Sequence, residues 1–186
     1  MPAPITVIIP TLNAADGIGP TLAALTEGLG AGLIREVIIS DGGSEDRIEA
    51  IAEAWGAEFI TGPAGRGGQL RCAAARATGA WLLVLHADSA PAPGWAEVVL
   101  EHVSHGIERA GYFDLRFDQG GPIARLVAGW ANLRARLFAL PFGDQGLLIP
   151  AGLYERVGGY PDIPLMEDVA IARALTRLRL ARRYRR

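Results

Sequence analysis

Three clusters of oxygen-bearing side chains follow short apolar runs in this chain: Pro10-Thr11-Leu12-Asn13, Asp41-Gly42-Gly43-Ser44-Glu45-Asp46 and His86-Ala87-Asp88-Ser89. Two more acidic clusters come later, Gly143-Asp144-Gln145-Gly146 and Glu167-Asp168. Carboxylates at strand ends suit a reader of a base or ribose and a diphosphate held through a hard divalent cation. Plainer roles stand beside these. Asp41 can close an Asx turn with Gly42 and Gly43, and Asp88 can form a turn ahead of Pro91. Ser44 is placed to cap a helix, and Asp46 to complement its dipole. One of Glu167 and Asp168 can cap the helix that follows them, while Asp144 and Gln145, set between glycines, either contact a ligand or form a surface turn. His86 is either a hydrogen-bonded structural histidine or a neutral imidazole able to bind Mn²⁺, though a poor ligand for Mg²⁺. Arg66 and Arg71 flank Gly67-Gly68-Gln69 at a helix start, where free backbone amides and a guanidinium favour phosphate. No G-x-G-x-x-G and no P-loop lysine follows any strand, which argues against a dinucleotide or ATPase site.

The elements that must carry these residues are legible in the spacing of apolar side chains. Residues 5–9 read as a buried strand stopped by Pro10, and Ile18, Leu22, Leu25 and Leu29 as a helix ended by Gly30 and Gly32. Residues 36–40 form a second strand, Ile48, Ile51 and Trp55 a helix, 58–60 a third strand, 69–77 a helix and 81–86 a fourth strand. This alternation predicts right-handed crossovers and a mainly parallel sheet covered on both faces. In the second half, 111–117 alternates as a strand. Ile123, Leu126, Val127, Trp130, Leu133 and Leu137 share one side of a helix, residues 146–149 form a short strand and 168–178 a last helix. The apolar side of the 123–138 helix is expected to pack on the core. Its mixture of Trp130 and Phe138 with Arg125, Arg134 and Arg136 also fits docking on a membrane surface or a second subunit.

Composition narrows the field. The 186 residues are 50% hydrophobic and 20% charged, enough apolar surface for a packed core and too much for a disordered chain. The net charge of −2 does not suggest capture of nucleic acid. All positive charge is arginine. A single cysteine, Cys72, excludes an intrachain disulfide and reads as a small core residue. His102 and His105 read as solvent-facing. Mean hydropathy is +0.22, yet no apolar run reaches the ~20 residues that span a bilayer. Residues 1–9 lack a signal-peptide pattern, so a cytoplasmic setting, or one at the inner face of the membrane, is expected.

Taken together, Val7-Ile8-Ile9-Pro10-Thr11-Leu12-Asn13, Ile39-Ser40-Asp41-Gly42-Gly43-Ser44-Glu45-Asp46, Leu85-His86-Ala87-Asp88-Ser89 and Met166-Glu167-Asp168-Val169 resemble the signatures of family 2 glycosyltransferases. The His-Ala-Asp variant with Gly143-Asp144-Gln145-Gly146 resembles a bacterial subgroup linked to arsenosugar biosynthesis. The resemblance implies an α/β GT-A fold, three layers α/β/α around a mainly parallel mixed sheet, with strand order 3-2-1-4 in the nucleotide half and Thr11 meeting Asp88 where the order reverses. It implies one domain, residues 1–105 binding nucleotide and 106–186 forming the acceptor side. Family members continue further beyond the Glu-Asp motif, so the acceptor side is expected to be incomplete. Pro10, Thr11, Asn13 and Ala87 would line the nucleotide cleft with Arg66 and Arg71, although Arg71 stands near a position where the family often has asparagine, and Asp41 would read the base. Asp88, and His86 where the family usually has its first aspartate, would face Mg²⁺ or Mn²⁺. Glu167 or Asp168 would be the general base, and Asp144 and Gln145 would touch donor sugar or acceptor. The implied activity is inverting transfer from a nucleotide-diphosphate sugar, a UDP-sugar, to an acceptor hydroxyl. Two other classes compete: a nucleotidyltransferase, which wants a basic glycine-rich loop that residues 11–17 lack, and a non-catalytic sugar-nucleotide-binding domain, made conceivable by the missing first aspartate. A homodimer and a peripheral membrane contact are further expectations.

Overall fold

The computed structural model describes residues 3–105, 109–117, 121–138, 141–163, 165–177 and 181–184. The four apolar runs of the first half are strands β1 (Ile5–Thr11), β2 (Ile34–Asp41), β3 (Glu58–Thr61) and β4 (Trp81–Val84), separated by helices α1 (Ile18–Gly30), α2 (Ile48–Ala54) and α3 (Arg66–Arg76). The second half adds α4 (Trp95–Ser104), β5 (Ala110–Phe113), α5 (Pro122–Phe138), a 3₁₀ turn (Gly143–Gln145), β6 (Leu147–Pro150), α6 (Ala151–Arg156), α7 (Glu167–Arg177) and β7 (Ala181–Tyr184).

The seven strands among the described residues join one sheet in the order β3-β2-β1-β4-β6-β5-β7. β1 lies parallel to both β2 and β4, so the expected 3-2-1-4 order is present and the chain reverses its direction of winding between β1 and β4. β6 runs antiparallel to β4, which brings the second half of the chain against the carboxyl end of β4. Because side chains alternate along a strand, β1 serves two cores. Ile5, Val7 and Ile9 pack with Leu22, Leu25, Ile48, Trp95 and Val99 under α1, α2 and α4. Ile8 faces the other way, with Leu70, Ala73, Leu153, Ile171 and Leu175 of α3, α6 and α7. These are the three layers the alternation demanded.

Several expectations change. Pro10 does not stop β1: it sits in register opposite Ser40, where its fixed φ suits an extended chain and only an N–H is lost. Ser44 caps no helix, since α2 begins later, after Arg47. The strand expected over 111–117 ends at Phe113, and Phe117 is exposed. Cys72 is exposed rather than in the core. His102 is buried, its Nε2 2.9 Å from the Arg109 carbonyl and its ring edge-on to Trp81.

The largest reversal is α5. The helix forms where periodicity placed it, but Ile123, Leu126, Trp130 and Leu137 are each at least 67% exposed, and its buried side is Ala128, Ala131 and Ala135. Small side chains let α5 lie close to β5, where the Tyr112 hydroxyl donates to the Ala135 carbonyl at 3.1 Å. Larger residues on that side would hold the helix away. Ala135→Leu is therefore expected to lower unfolding free energy by about 1–3 kcal/mol through overpacking. Leu126→Ser should change it by less than about 0.5 kcal/mol. Urea unfolding of the two variants checks the orientation, and the opposite ranking would reverse it.

Candidate functional site

At the end of β1 the Gly42 amide donates to the Thr11 carbonyl at 2.9 Å, and a side chain from α3 adds a second layer of bonds. The Gln69 side-chain amide, buried in the first turns of α3, donates to the Thr11 carbonyl at 2.8 Å and to the Ser40 carbonyl at 2.7 Å. The Ser40 hydroxyl returns a bond to the Gln69 carbonyl at 2.9 Å. Beside this clamp the Asp41 carboxylate accepts from the Thr11 hydroxyl, the Gly43 and Ser44 amides and the Ser44 hydroxyl. Burial alone would raise its pKa, but the bonds from Ser44, Thr11 and Gly43 outweigh burial and hold it below the ordinary carboxylate value. Asp41 thus makes the Asx turn, with both oxygens engaged, and it does not line the cleft.

The two loops are laced together. Asn13, in the left-handed region at φ 51°, donates its amide to Ser44 Oγ at 2.7 Å and accepts from the Glu45 amide at 2.9 Å through Oδ1. Asp46 accepts from the amides of Ala15 and Ile48. The helix-charge reading of Asp46 therefore gains a second task, holding the loop after β1. On the β4 side, the Ala87 carbonyl accepts from the Thr21 hydroxyl of α1 at 2.8 Å.

These loops enclose an open cleft of about 540 Å³ lined by Pro10, Thr11, Leu12, Asn13, Ala14, Gly17, Gly65, Arg66, Gln69, His86, Ala87 and Asp88. Seven residues expected at the site converge there: Pro10, Thr11, Asn13, Arg66, His86, Ala87 and Asp88. Thr11 and Asp88 do share the switch-point cleft. Asp88 is exposed at its edge. Arg71 is not in the lining: one helical turn past Arg66 it is exposed on α3, with its charge acting on Tyr154. Gln69, which sequence reasoning passed over, is buried in the lining beside Pro10 and Thr11; nothing in its local pattern marks it, since its two acceptors lie on β1 and β2.

The second cluster sits behind Arg66. Arg66 Nη1 lies 3.5 Å from His86 Nε2, and Arg66 Nε lies 3.5 Å from Glu167 Oε1. A guanidinium only donates, so Nε2 is the acceptor and the imidazole proton is on Nδ1. Burial, then the Arg66 charge, pushes the His86 pKa down, against the pull of Asp88, Asp144 and Asp168, which keeps the ring neutral. Its face rests on Gly143, where a Cβ would stand 2.2 Å from Nε2, so only glycine fits. Gly67 is as tightly constrained, because the Pro161 carbonyl would lie 2.1 Å from its Cβ.

Glu167 is 1% exposed, and neither carboxylate oxygen accepts a hydrogen bond among the described residues. Burial raises its pKa against the pull of the Arg66 charge. Asp168 is half-buried and accepts from the Gly143 amide at 2.8 Å and from the Val169 amide at 2.7 Å, so it is the member of the pair that holds the helix start. The residue before them, Met166, adopts φ 68°, a conformation unusual for a side chain of its size. Asp144 is partly buried with its pKa raised by burial, despite His86 and Arg134 nearby. Gln145, expected to touch donor sugar or acceptor, is 1% exposed; it donates to the Phe113 carbonyl and Asn132 Oδ1 and accepts from the Phe142 amide, so it ties the turn to β5 and α5.

Among the described residues no three His, Cys, Asp or Glu side chains gather as a metal cage. Asp88 offers a carboxylate at the cleft edge, which fits a cation whose remaining ligands are phosphate oxygens and water. His86 fits less well, because its only lone pair faces Arg66.

Because Glu167 has a raised pKa, the folded protein holds its proton at pH values where the unfolded chain has lost it. Stability from this group is full below pH ~4.5 and falls as pH rises through the folded pKa. Glu167→Gln, which mimics the protonated acid, is expected to exceed the parent in unfolding free energy at pH 7 and to converge with it near pH 4. Urea unfolding at both pH values measures this, and a variant less stable at pH 7 would contradict it.

The family described as glycosyl transferase family 2 matches residues 6–125. No curated protein sequence matches the chain. Among solved structures, glucosyl-3-phosphoglycerate synthase from Mycobacterium tuberculosis, crystallised with Mn²⁺, UDP and glucosyl-3-phosphoglycerate, superposes with a TM-score of 0.65 at 21% identity, covering 98% of this chain and 69% of that one. A mycobacterial protein of unstated activity gives a TM-score of 0.73 at 21% identity, covering 98% of this chain and 65% of that one. S. aureus TarS residues 1–349, crystallised with UDP-GlcNAc, gives 0.70 at 16% identity, covering 92% of this chain and 53% of that one. The chain therefore spans between about half and about two thirds of the lengths of these three structures, and the likeness establishes the GT-A fold.

Proposed function

The chain belongs to glycosyltransferase family 2, and on that premise we propose that it moves a sugar from a UDP-linked donor to an acceptor hydroxyl with inversion at the anomeric carbon. The observation that carries the reading is the cleft at the carboxyl ends of β1 and β4, the switch point where open α/β sheets bind ligands. Its volume of about 540 Å³ lies within the range of small-molecule sites. The UDP in the M. tuberculosis synthase structure and the UDP-GlcNAc in the TarS structure support a uridine donor here.

The nucleoside lies along Thr11 and Asn13 on the β1 side. A direct contact from Asp41 to the base needs the Thr11 or Ser44 hydroxyl to rotate away; otherwise Asp41 acts by fixing the turn. The diphosphate lies between Asp88 and the start of α3, where free amides and Arg66 offset its charge. A divalent ion held by Asp88, as Mn²⁺ accompanies UDP in the synthase, would neutralise charge on the departing diphosphate. Once Arg66 turns to the diphosphate, the His86 lone pair is released as well.

In the transfer step the acceptor oxygen bonds to the anomeric carbon as the bond from that carbon to the diphosphate oxygen breaks. The electron pair leaves with UDP, and the acceptor proton passes to a carboxylate. Asp168 is assigned this role here; it is only half-buried and its orientation is set by the Gly143 amide, which supports the reading. Glu167 lies deeper, behind Arg66. Asp144, on the same turn as Gly143, faces the sugar or acceptor side.

Two substitutions separate donor handling from chemistry. Asp88→Ala is expected to abolish Mn²⁺-dependent UDP release from UDP-sugars, to the level the parent shows in EDTA; release that persists unchanged would remove Asp88 from its role. Asp168→Asn should retain UDP-sugar binding by calorimetry while turnover falls about 10²–10⁴-fold, the span of general-base catalysis. Loss of donor binding instead would contradict the base assignment, and donor binding by the parent without turnover would favour a binding domain over an enzyme.

A further inference from the structure

We propose that the outward face of α5 seats the protein on an anionic lipid bilayer, with the helix lying in the headgroup plane. Leu126, Trp130, Leu133 and Leu137 recur on one side of the helix together with Ile123, at exposures from 43% to 79%. The opposite side is closed by Ala128, Ala131 and Ala135 against the core. At about 1.5 Å per residue the 17 residues make a ridge roughly 25 Å long. A contiguous apolar stripe of that size on a surface marks an interaction site.

Charge selects the occupant. Residues 122–138 contain Arg125, Arg134 and Arg136 and no acidic residue. Arg125 is exposed, and Arg134 lies over the Phe142 ring, 3.3 Å from its centroid. A basic helix with an apolar face centred on tryptophan is the pattern that lies in a bilayer interface and binds anionic lipid. A second copy meeting this face through its own α5 would bring no acidic side chain of that helix to Arg125. Among the described residues no helix is long and apolar enough to cross a membrane, so the contact lies on the surface. Through Phe142 and the Asn132–Gln145 bond, α5 abuts the turn that carries Asp144, which puts the second-half side of the cleft nearest the lipid.

Co-sedimentation of the full chain with phosphatidylcholine vesicles, alone or with about 30 mol% phosphatidylglycerol, tests this. The expected result is binding to the anionic vesicles only, weakened as NaCl rises from about 0.1 to 0.5 M. The double variant Leu126→Ser, Trp130→Ser should bind at least tenfold more weakly. Arg125→Glu should bind about fivefold more weakly or worse. Both are expected to unfold in urea as the parent does; should the double variant fail to fold, Arg125→Glu carries the test alone. Failure to bind anionic vesicles, equal binding to neutral ones, undiminished binding of a folded variant, or a parent dimer in sedimentation velocity that the double variant dissolves would each overturn the proposal. UDP release is measured without vesicles, so failure here leaves the transferase reading standing, and the reverse.

Discussion

The two hydrogen bonds from Gln69 to the carbonyls of Thr11 and Ser40 hold the mouth of this molecule together. A carbonyl oxygen has two lone pairs, and that of Thr11 accepts from the Gly42 amide as well as from Gln69. A long side chain from α3 meets both carbonyls at once and thereby fixes the start of α3 against β1 and β2. Arg66, three residues earlier on α3, is placed over the cleft as a consequence. The Asp41 network does the same for the loop after β2. The floor of the cleft is accordingly preorganised, and what remains open is its β4 edge, where Asp88 is exposed.

Arg66 joins the two halves of the chain electrostatically. One guanidinium faces the neutral ring of His86 and a buried carboxylate, Glu167, that no amide or hydroxyl among the described residues satisfies. Such a carboxylate is a liability for folding, because burial favours its protonated form. A group kept under that penalty beside a cleft is the kind of strain that functional sites hold and stable cores avoid. The antiparallel pairing of β6 with β4 creates the arrangement, since it sets Gly143 on the His86 ring and Asp168 on the Gly143 amide.

The reversed face of α5 has the same origin in packing. Alanines at 128, 131 and 135 allow close approach, and the Asn132 side chain pairs with both polar groups of the Leu115 backbone. Hydrophobicity alone would have turned the leucines inward. Geometry at the sheet edge admitted the smaller side instead.

Strand and helix order in the first hundred residues and the cleft members Pro10, Thr11, Asn13, His86, Ala87 and Asp88 were legible from the sequence, because apolar periodicity places strands and ligands bind past their carboxyl ends, while the 3-2-1-4 winding was implied by the family resemblance. Family signatures singled out the Glu167-Asp168 pair, which the fold sets behind Arg66. Tertiary structure alone decided the rest. The clamp by Gln69, the burial of Gln145 and His102, the exposure of Cys72 and the outward face of α5 each depend on which distant backbone group or neighbouring helix lies within a few ångströms. Local sequence specifies what a side chain is able to bond, and only the fold supplies the partner.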